Sequence, residues 1–233
     1  MSKTIGEFCQ VFAGSSAPQD KAVFVSEGIP FVRAGSLEHL CRGGSLDDCE
    51  QINREIGTKL KLKLAPAGTI LFAKSGMSAM KDRVHCLPRE AYVVSHLAGL
   101  IPNESVDSRY LAYWFHVNPP SRLINDPAYP SIRLSDISKM KFDPPSLNKQ
   151  KRIISILDKA NEIKNESDKA QILREDLVQS LFYDMFGDPV ANPMDWQIQV
   201  LGDVCGVGSS KRVFKSELVE EGIPFYRGTE IGK

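Results

Sequence analysis

The sequence predicts an α+β protein with a loop-rich domain over residues 1–145, one long helix over residues 146–187 and a short strand-and-turn segment over residues 188–233. Three observations predict this fold class. Residues 148–186 contain neither proline nor glycine, short apolar runs elsewhere are bounded by turn residues, and the opening of the chain recurs near its end.

Short strands and one helix account for most of the first domain. One run alternates strictly between lysine and leucine, which is typical of a half-buried strand, and two apolar runs are typical of buried strands. The three strands are predicted at residues 59–64, 68–73 and 91–95. Residues 108–115 predict a helix capped by Asp107 or Ser108.

The long helix is marked at both ends, with Ser146 as the N-cap and Gly187 just beyond the last turn. Its length would be about 55–60 Å. Apolar residues at three- and four-residue spacing form a line, the helix stripe, which consists of Ile153, Ile156, Leu157, Ala160, Ile163, Ala170, Leu173, Leu177 and Leu181. Because a single helix cannot bury such a stripe, we expect a partner from another chain; the alternative is packing on its own domain.

The opening of the chain occurs twice. Ile-Gly-Glu-Phe-Cys at residues 5–9 matches Leu-Gly-Asp-Val-Cys at residues 201–205, and Glu-Gly-Ile-Pro-Phe-Val-Arg at residues 27–33 matches Glu-Gly-Ile-Pro-Phe-Tyr-Arg at residues 221–227. The offsets, 196 and 194, indicate a tandem duplication whose second copy contains only its opening. We therefore expect residues 188–233 to form a small strand-and-turn piece that packs on something else.

Charge is unevenly distributed along a chain whose net charge is zero. Residues 51–90 contain eight Lys/Arg against three Asp/Glu, and residues 121–152 contain seven against three. Residues 1–50 and 155–187 each contain four against seven. Two basic blocks in one domain are typical of nucleic-acid-binding proteins, the alternative being a chance bias in solvated loops.

Composition and motifs exclude several other classes. The five cysteines are scattered, and neither a membrane-spanning run nor a signal pattern occurs, which predicts a reduced, cytoplasmic protein with no membrane partner. Histidine and cysteine do not occur at zinc-finger spacing, so no metal site is expected. Two motifs, Asn118-Pro119-Pro120-Ser121 and Asp143-Pro144-Pro145-Ser146, resemble the Asn/Asp-Pro-Pro-aromatic motif of amino-methyltransferases. Both have serine in place of the aromatic residue that stacks on a flipped base, so methyl transfer by this chain is not expected. A nuclease-like triad of residue types occurs at Asp158, Glu162 and Lys164. Because these residues fall on the long helix, we expect them to be solvated helix charges. We therefore expect no catalytic residues in this chain and predict that it is not an enzyme.

Five segments, in order, resemble the specificity (S) subunits of type I restriction-modification systems. They are residues 5–7, 29–33, 68–76, 131–137 and 142–154. The resemblance covers nearly the whole chain, although Asn148-Lys149-Gln150 varies the more usual Glu-Gln of the family. It implies a target-recognition domain at residues 1–145 and a conserved, coiled-coil-like spacer helix at residues 146–187 for dimer or partner docking.

Members of this family contain two such units, whose recognition domains are separated by paired antiparallel helices. This chain lacks the second recognition domain and resembles a half-size form, natural or truncated. We therefore expect a homodimer that pairs two long helices and recognises an inverted, bipartite DNA site.

The resemblance also implies partners. These are double-stranded DNA, methyltransferase (M) subunits that methylate adenine, and in some complexes restriction (R) subunits. No cofactor is expected in this chain, whereas S-adenosylmethionine, ATP and Mg are expected in the partner subunits. The alternative is a coiled-coil assembly module that does not bind specific DNA.

Two loops and one strand end hold the candidate DNA-binding residues. Arginine and lysine can bond guanine edges, serine can contact phosphate, and methionine or tyrosine can touch a thymine methyl group or wedge against a base step. The candidates are Arg33, Lys74, Ser75, Met77, Ser78, Lys81, Arg83, Arg122, Tyr129, Ser131 and Arg133.

Overall fold

The computed structural model describes residues 3–209, 212–219 and 221–226, and the predicted α+β class with a long helix after a sheet-rich domain is confirmed. The helices are α1 (Ile5–Phe8), α2 (Ser36–Cys41), α3 (Arg54–Lys59), α4 (Ser108–Val117), α5 (Leu134–Ser138), α6 (Leu147–Phe186) and α7 (Leu201–Val204). The strands are β1 (Cys9–Ala13), β2 (Phe24–Val25), β3 (Ile29–Val32), β4 (Gln51–Ile52), β5 (Leu64–Ala65), β6 (Ile70–Ala73), β7 (Val84–Cys86), β8 (Ala91–Val93) and β9 (Leu97–Pro102).

The first sheet is antiparallel, with the strand order β1-β9-β6-β7. Successive side chains of β6 point to opposite faces, and both faces are covered. Ile70 and Phe72 belong to an apolar cluster that contains Phe115 of α4. Leu71 and Ala73 belong to a second cluster. This double burial explains why β6 is a continuous apolar run and not an alternating one.

The second sheet has the order β2-β4-β3-β8-β5, in which β3 and β8 are parallel and the other pairs are antiparallel. Phe31 and Val93 of this sheet share the second apolar cluster with Leu71 and Leu97 of the first sheet. That cluster therefore lies between the sheets, and the first sheet is the central layer between it and α4.

The strand predicted at residues 59–64 is wrong for most of its length. Asn53 caps α3, which extends to Lys59, and only Leu64 of the predicted run pairs with β8. The helix ends in a Schellman motif, in which Lys61 has φ 53° and Leu62 N–H donates to the Gly57 carbonyl at 2.9 Å. Residues 54–62 therefore form a short helix and its Schellman motif, and most of the alternating Lys-Leu run cannot form a strand.

Other predictions for the domain are confirmed. The apolar runs form β6 and β8, and α4 is capped by Asp107, whose carboxylate accepts from Arg109 N–H at 2.9 Å. The strand β9, which pairs with both β1 and β6, was not predicted from the sequence. Its Gly99 lies opposite Phe12, and a Cβ at this position would lie 2.2 Å from the Phe12 ring.

The long helix α6 begins and ends where the sequence predicts. The Ser146 carbonyl accepts from Gln150 N–H at 3.0 Å, as the N-cap carbonyl should. Gly187 has φ 74°, and its N–H donates to the Tyr183 carbonyl at 2.9 Å. The Trp196 indole N–H also binds a terminal carbonyl, that of Phe186, at 2.8 Å.

Backbone contacts divide the chain into two units, Met1–Asp168 and Lys169–Lys233, at a point inside α6. The boundaries predicted after residues 145 and 187 separate functional segments and not units of backbone contact, so they stay a prediction.

The repeated sequence produces repeated local structure. Helix α1 recurs as α7 at offset 196, and the 3-10 helix Lys21–Val23 recurs as Lys215–Glu217 at offset 194. In the described part of residues 188–226 no strand accompanies them, because β1 depends on pairing with β9 and no such neighbour lies beside residues 205–209. Ile223 is 97% exposed where its counterpart Ile29 is 8% exposed. Arg227, the last residue of the predicted repeat, lies outside the described residues.

Candidate nucleic-acid interface

Backbone contacts join the two candidate loops, the first loop (residues 74–83) and the second loop (residues 122–133). Ile132 N–H donates to the Lys74 carbonyl at 2.8 Å, and Gly76 N–H donates to the Pro130 carbonyl at 2.9 Å. Ser75 and Ser131 form an isolated antiparallel bridge between these bonds. We call the outer face of the joined loops the loop surface.

A second junction fixes the far ends of the two loops. Asp82 has φ 47° and ends the 3-10 helix Met77–Lys81. Its carboxylate accepts from Ser121 N–H at 2.9 Å and from the Ser121 hydroxyl at 2.7 Å, at the start of the second loop. Because each loop is held at two points, its backbone provides a fixed frame for the side chains.

The loop surface carries cations without acidic partners. Among the residues that the structure describes, no carboxylate lies within 4.0 Å of the charged groups of Lys74, Lys81, Arg122 and Arg133. Lys74 is half-buried and the other three are exposed. The carboxylate of the nearby Asp126 accepts from Ala128 N–H at 2.9 Å within the second loop. These cations are therefore available to an anionic ligand.

Two other predicted DNA-binding residues are engaged in ion pairs within the fold. Arg33 binds Glu50 at 2.6 Å and also lies over the rings of Phe24 and Phe31. Arg83 binds Glu38 at 2.7 Å, and its side chain is 22% exposed. Their contact with DNA stays a prediction.

The two loops also expose an apolar and an aromatic side chain. Met77 is 66% exposed and Tyr129 is 82% exposed. With their neighbours they line a shallow groove of about 410 Å³, whose lining residues are Gly76, Met77, Ala128, Tyr129, Pro130 and Ser131. Ser78 is half-buried, and the Ser75 hydroxyl forms a hydrogen bond with His96 Nδ1 at 2.8 Å.

The loop junction requires glycine at position 76. Gly76 has φ 72° and ψ −178°, a conformation that is essentially restricted to glycine. We expect Gly76→Ala to lower the free energy of unfolding by about 1–3 kcal/mol or to separate the loops. Urea denaturation and exchange of the Ile132 amide proton would measure the two effects.

Gly35→Ala is the matched control. Gly35 has φ −67° and no heavy atom within 4 Å of an added Cβ. Its substitution should leave stability unchanged or raise it by about 0.4–1 kcal/mol. Equal effects of the two substitutions would contradict the importance of the Gly76 conformation.

The start of α6 is fixed to the domain by Gln150, whose structural role was not predicted from the sequence. Its side chain is fully buried. Its Oε1 accepts from Asp107 N–H at 2.8 Å, and its Nε2 donates to the carbonyls of Ser105 and Pro145 at 2.9 and 2.7 Å. Every polar atom of this amide therefore has a partner.

The same face of α6 continues with Ile154, Asp158 and Asn161 at three- to four-residue spacing. Ile154 is 6% exposed. Asp158 binds Arg109 of α4 at 2.6 Å and accepts from the Tyr113 hydroxyl at 2.7 Å. The expectation that Asp158 is a solvated helix charge is therefore wrong, because α4 lies against it. Burial, together with the bond to Asp158, raises the pKa of Tyr113.

The helix stripe is uncovered. Ile163 and Leu173 are each 67% exposed, Leu177 is 57% exposed, and only Leu157 among the predicted pairing residues is half-buried. Other exposed apolar residues of α6 include Ile172, Val178 and Phe182. The role of the stripe in helix pairing stays a prediction.

No arrangement for metal binding is found in the part of the chain that the structure describes, where no three His, Cys, Asp or Glu side chains form a suitable group. Burial raises the pKa of the Cys9 thiol to about 12.

None of the described helices is both long and apolar enough to span a bilayer.

Comparisons with known proteins agree with this architecture. Residues 1–175 match the model of the type I restriction modification DNA specificity domain. The type I restriction enzyme MjaIX specificity subunit of Methanocaldococcus jannaschii is 31% identical over 147 residues, which are 61% of this chain and 33% of that protein. The chain thus spans about a third of the length of this curated relative.

Two solved structures share the fold. One, from a study of complex assembly and conformational transition of the type I R-M system, has TM-score 0.59 and 20% identity over 78% of this chain and 43% of the other. The HsdS subunit from Thermoanaerobacter tengcongensis has TM-score 0.56 and 21% identity, and the match covers 73% of this chain and 39% of that subunit. Because the family model matches residues 1–175, which are most of the chain, the chain belongs to the family of type I restriction modification DNA specificity domains.

Proposed function

We propose that this chain is a sequence-specific DNA-recognition subunit of a type I restriction-modification complex, without catalysis of its own. The observation that supports this most directly is the loop surface. Two loops that are far apart in the sequence are joined by backbone hydrogen bonds, and together they carry Lys74, Lys81, Arg122 and Arg133, which have no acidic partner among the described residues.

The chemistry of the loop surface fits duplex DNA. Lysine and arginine neutralise phosphates and bond the acceptor edge of guanine in the major groove. The Ser131 hydroxyl is exposed beside them and can bind phosphate. A fixed loop frame favours sequence recognition, because a loop backbone that is already ordered loses less conformational entropy on binding.

The exposed helix stripe supports a homodimer. Pairing of two α6 helices would bury apolar residues that are otherwise exposed to water, such as Ile163 and Leu173. Two-fold symmetry would present two identical loop surfaces to one duplex, so the target would contain the same half-site twice in inverted orientation.

The partners follow from the family. We expect the assembled specificity subunit to position methyltransferase subunits on the target, and restriction subunits where the complex contains them. S-adenosylmethionine, ATP and Mg would be bound by those subunits.

Alanine substitution tests the loop surface. We expect Lys74→Ala and Arg133→Ala each to weaken specific DNA binding by roughly 1–3 kcal/mol where the contact is to a base. A phosphate contact would instead weaken binding to all sequences and reduce the salt dependence of log K by about one. Fluorescence titration of the full chain with a duplex selected from a random library, at several salt concentrations, distinguishes these outcomes.

Lys59→Ala serves as the control, because Lys59 is an exposed lysine in α3, outside both loops. It should leave affinity and salt dependence unchanged. If Lys74→Ala and Arg133→Ala behave like Lys59→Ala, the loop surface does not contact DNA.

The alternative function is an assembly module that does not recognise DNA sequence, and the exposed helix stripe is the observation that favours it. The library selection separates the two functions. The assembly module predicts no enriched sequence, whereas the recognition subunit predicts a defined one.

A further inference from the structure

The groove between Met77 and Tyr129 combines features that DNA phosphates do not explain. Its lining is mainly apolar, with Ala128 and Pro130 beside the two exposed side chains. The side chains of Met77, Ala128 and Pro130 have no hydrogen-bond donor for a phosphate, so contact with phosphates alone does not explain an apolar groove here.

The surroundings of the groove restrict what it can bind. Lys74 precedes its first side in the sequence and Arg133 follows its second, and neither has a carboxylate partner in the described structure. A ligand that combines an apolar group with negative charge would complement these residues. In duplex DNA, the methyl group at C5 of thymine is the apolar group that the major groove displays.

The groove is shallow and open, with a volume of about 410 Å³, and Met77 and Tyr129 line it together with Ser131. Such a surface can contact a methyl group at the edge of a base pair without separating base pairs, which a wedge side chain must do. The backbone bond from Gly76 N–H to the Pro130 carbonyl holds its two sides together.

We infer that this groove binds the 5-methyl group of a thymine in the major groove and so reads one T·A pair of the target. The inference rests on the proposed function and adds to it a residue-level source of specificity. Met77 and Tyr129 supply the apolar contact, and the flanking cations hold the neighbouring phosphates.

Replacement of thymine by deoxyuracil tests the contact because it removes only the methyl group. In a duplex selected from a random library with the full chain, each thymine is replaced in turn. At one position of each half-site we expect affinity to fall about fourfold, as for the loss of one buried methyl-sized group. In the Met77→Ala, Tyr129→Ala double variant this loss should disappear, because the methyl group no longer has a partner.

Met80→Ala is the matched control. Met80 is 42% exposed in the same 3-10 helix but does not line the groove, so this variant should retain the fourfold loss. The single variants Met77→Ala and Tyr129→Ala replace the double variant if it binds too weakly to titrate.

The outcomes are distinguishable from failure of the proposed function. If no sequence is enriched, DNA recognition itself is wrong. If a sequence is enriched but contains no thymine, or if uracil is tolerated at every thymine, only the methyl contact is wrong. Tolerance of uracil with loss of binding in the double variant would indicate a wedge instead.

Discussion

Substitution of Leu173 and Leu177 with glutamate is expected to convert a dimer of the chain into monomers. Both residues belong to the helix stripe, one turn apart, and are 67% and 57% exposed. In a paired helix they would be buried, so two carboxylates at these positions would have to be desolvated beside each other. Light scattering should show a mass near twice 25.9 kDa for the unmodified chain and near 25.9 kDa for the variant.

The same variant should lose affinity for a bipartite site. Linked half-sites gain roughly 10²–10⁴-fold from simultaneous binding of two modules, and a monomer cannot obtain this gain. Affinity for a duplex with one half-site should be unchanged, because the loop surface contains no residue of this part of α6. Loss of half-site binding would mean that the substitutions damage the fold.

Gln171→Glu with Gln179→Glu provides the control. It adds the same two negative charges, at exposed positions about 140° around the helix from the centre of the Leu173–Leu177 pair. This variant should remain dimeric. A monomeric unmodified chain, or equal dissociation of both variants, would contradict pairing through the helix stripe.

Local signals were sufficient to predict much of the fold. The ends of α6 follow from Ser146 and Gly187, and α4 follows from Asp107, because capping depends on residues within one or two turns. The apolar run of β6 predicts a buried strand for the same reason. Alternation at residues 59–64 was misleading, since a capped helix with Lys61 in the left-handed conformation competes with the strand.

Contacts between distant residues could not be predicted. The candidate DNA-binding residues of the two loops were identified by composition, but their junction depends on the bond between Ile132 and Lys74, which are 58 positions apart in the sequence. Gln150 was missed because a polar residue on a helix normally faces water. Here, two backbone carbonyls and one N–H group from other segments meet at that position.

Gln150→Leu is expected to lower the free energy of unfolding by about 3 kcal/mol. The substitution leaves the Asp107 N–H and the carbonyls of Ser105 and Pro145 without their partner at a partly buried position, so the lower end of the cost per group applies. Each buried polar group that loses its partner costs about 1–3 kcal/mol. Urea denaturation measures the loss, and hydrogen exchange at the Asp107 amide should accelerate before global unfolding.

Asn148→Leu is the matched control, since Asn148 is an exposed amide in the same turn of α6. It should change stability by less than about 0.5 kcal/mol. If both variants lose stability equally, the turn tolerates no leucine and the hydrogen bonds of Gln150 are not the cause. If only Gln150→Leu is destabilised, three backbone groups determine where α6 leaves the recognition domain. Weakening that attachment should reduce affinity for a bipartite site more than affinity for a half-site, because only the former depends on how the helix is held.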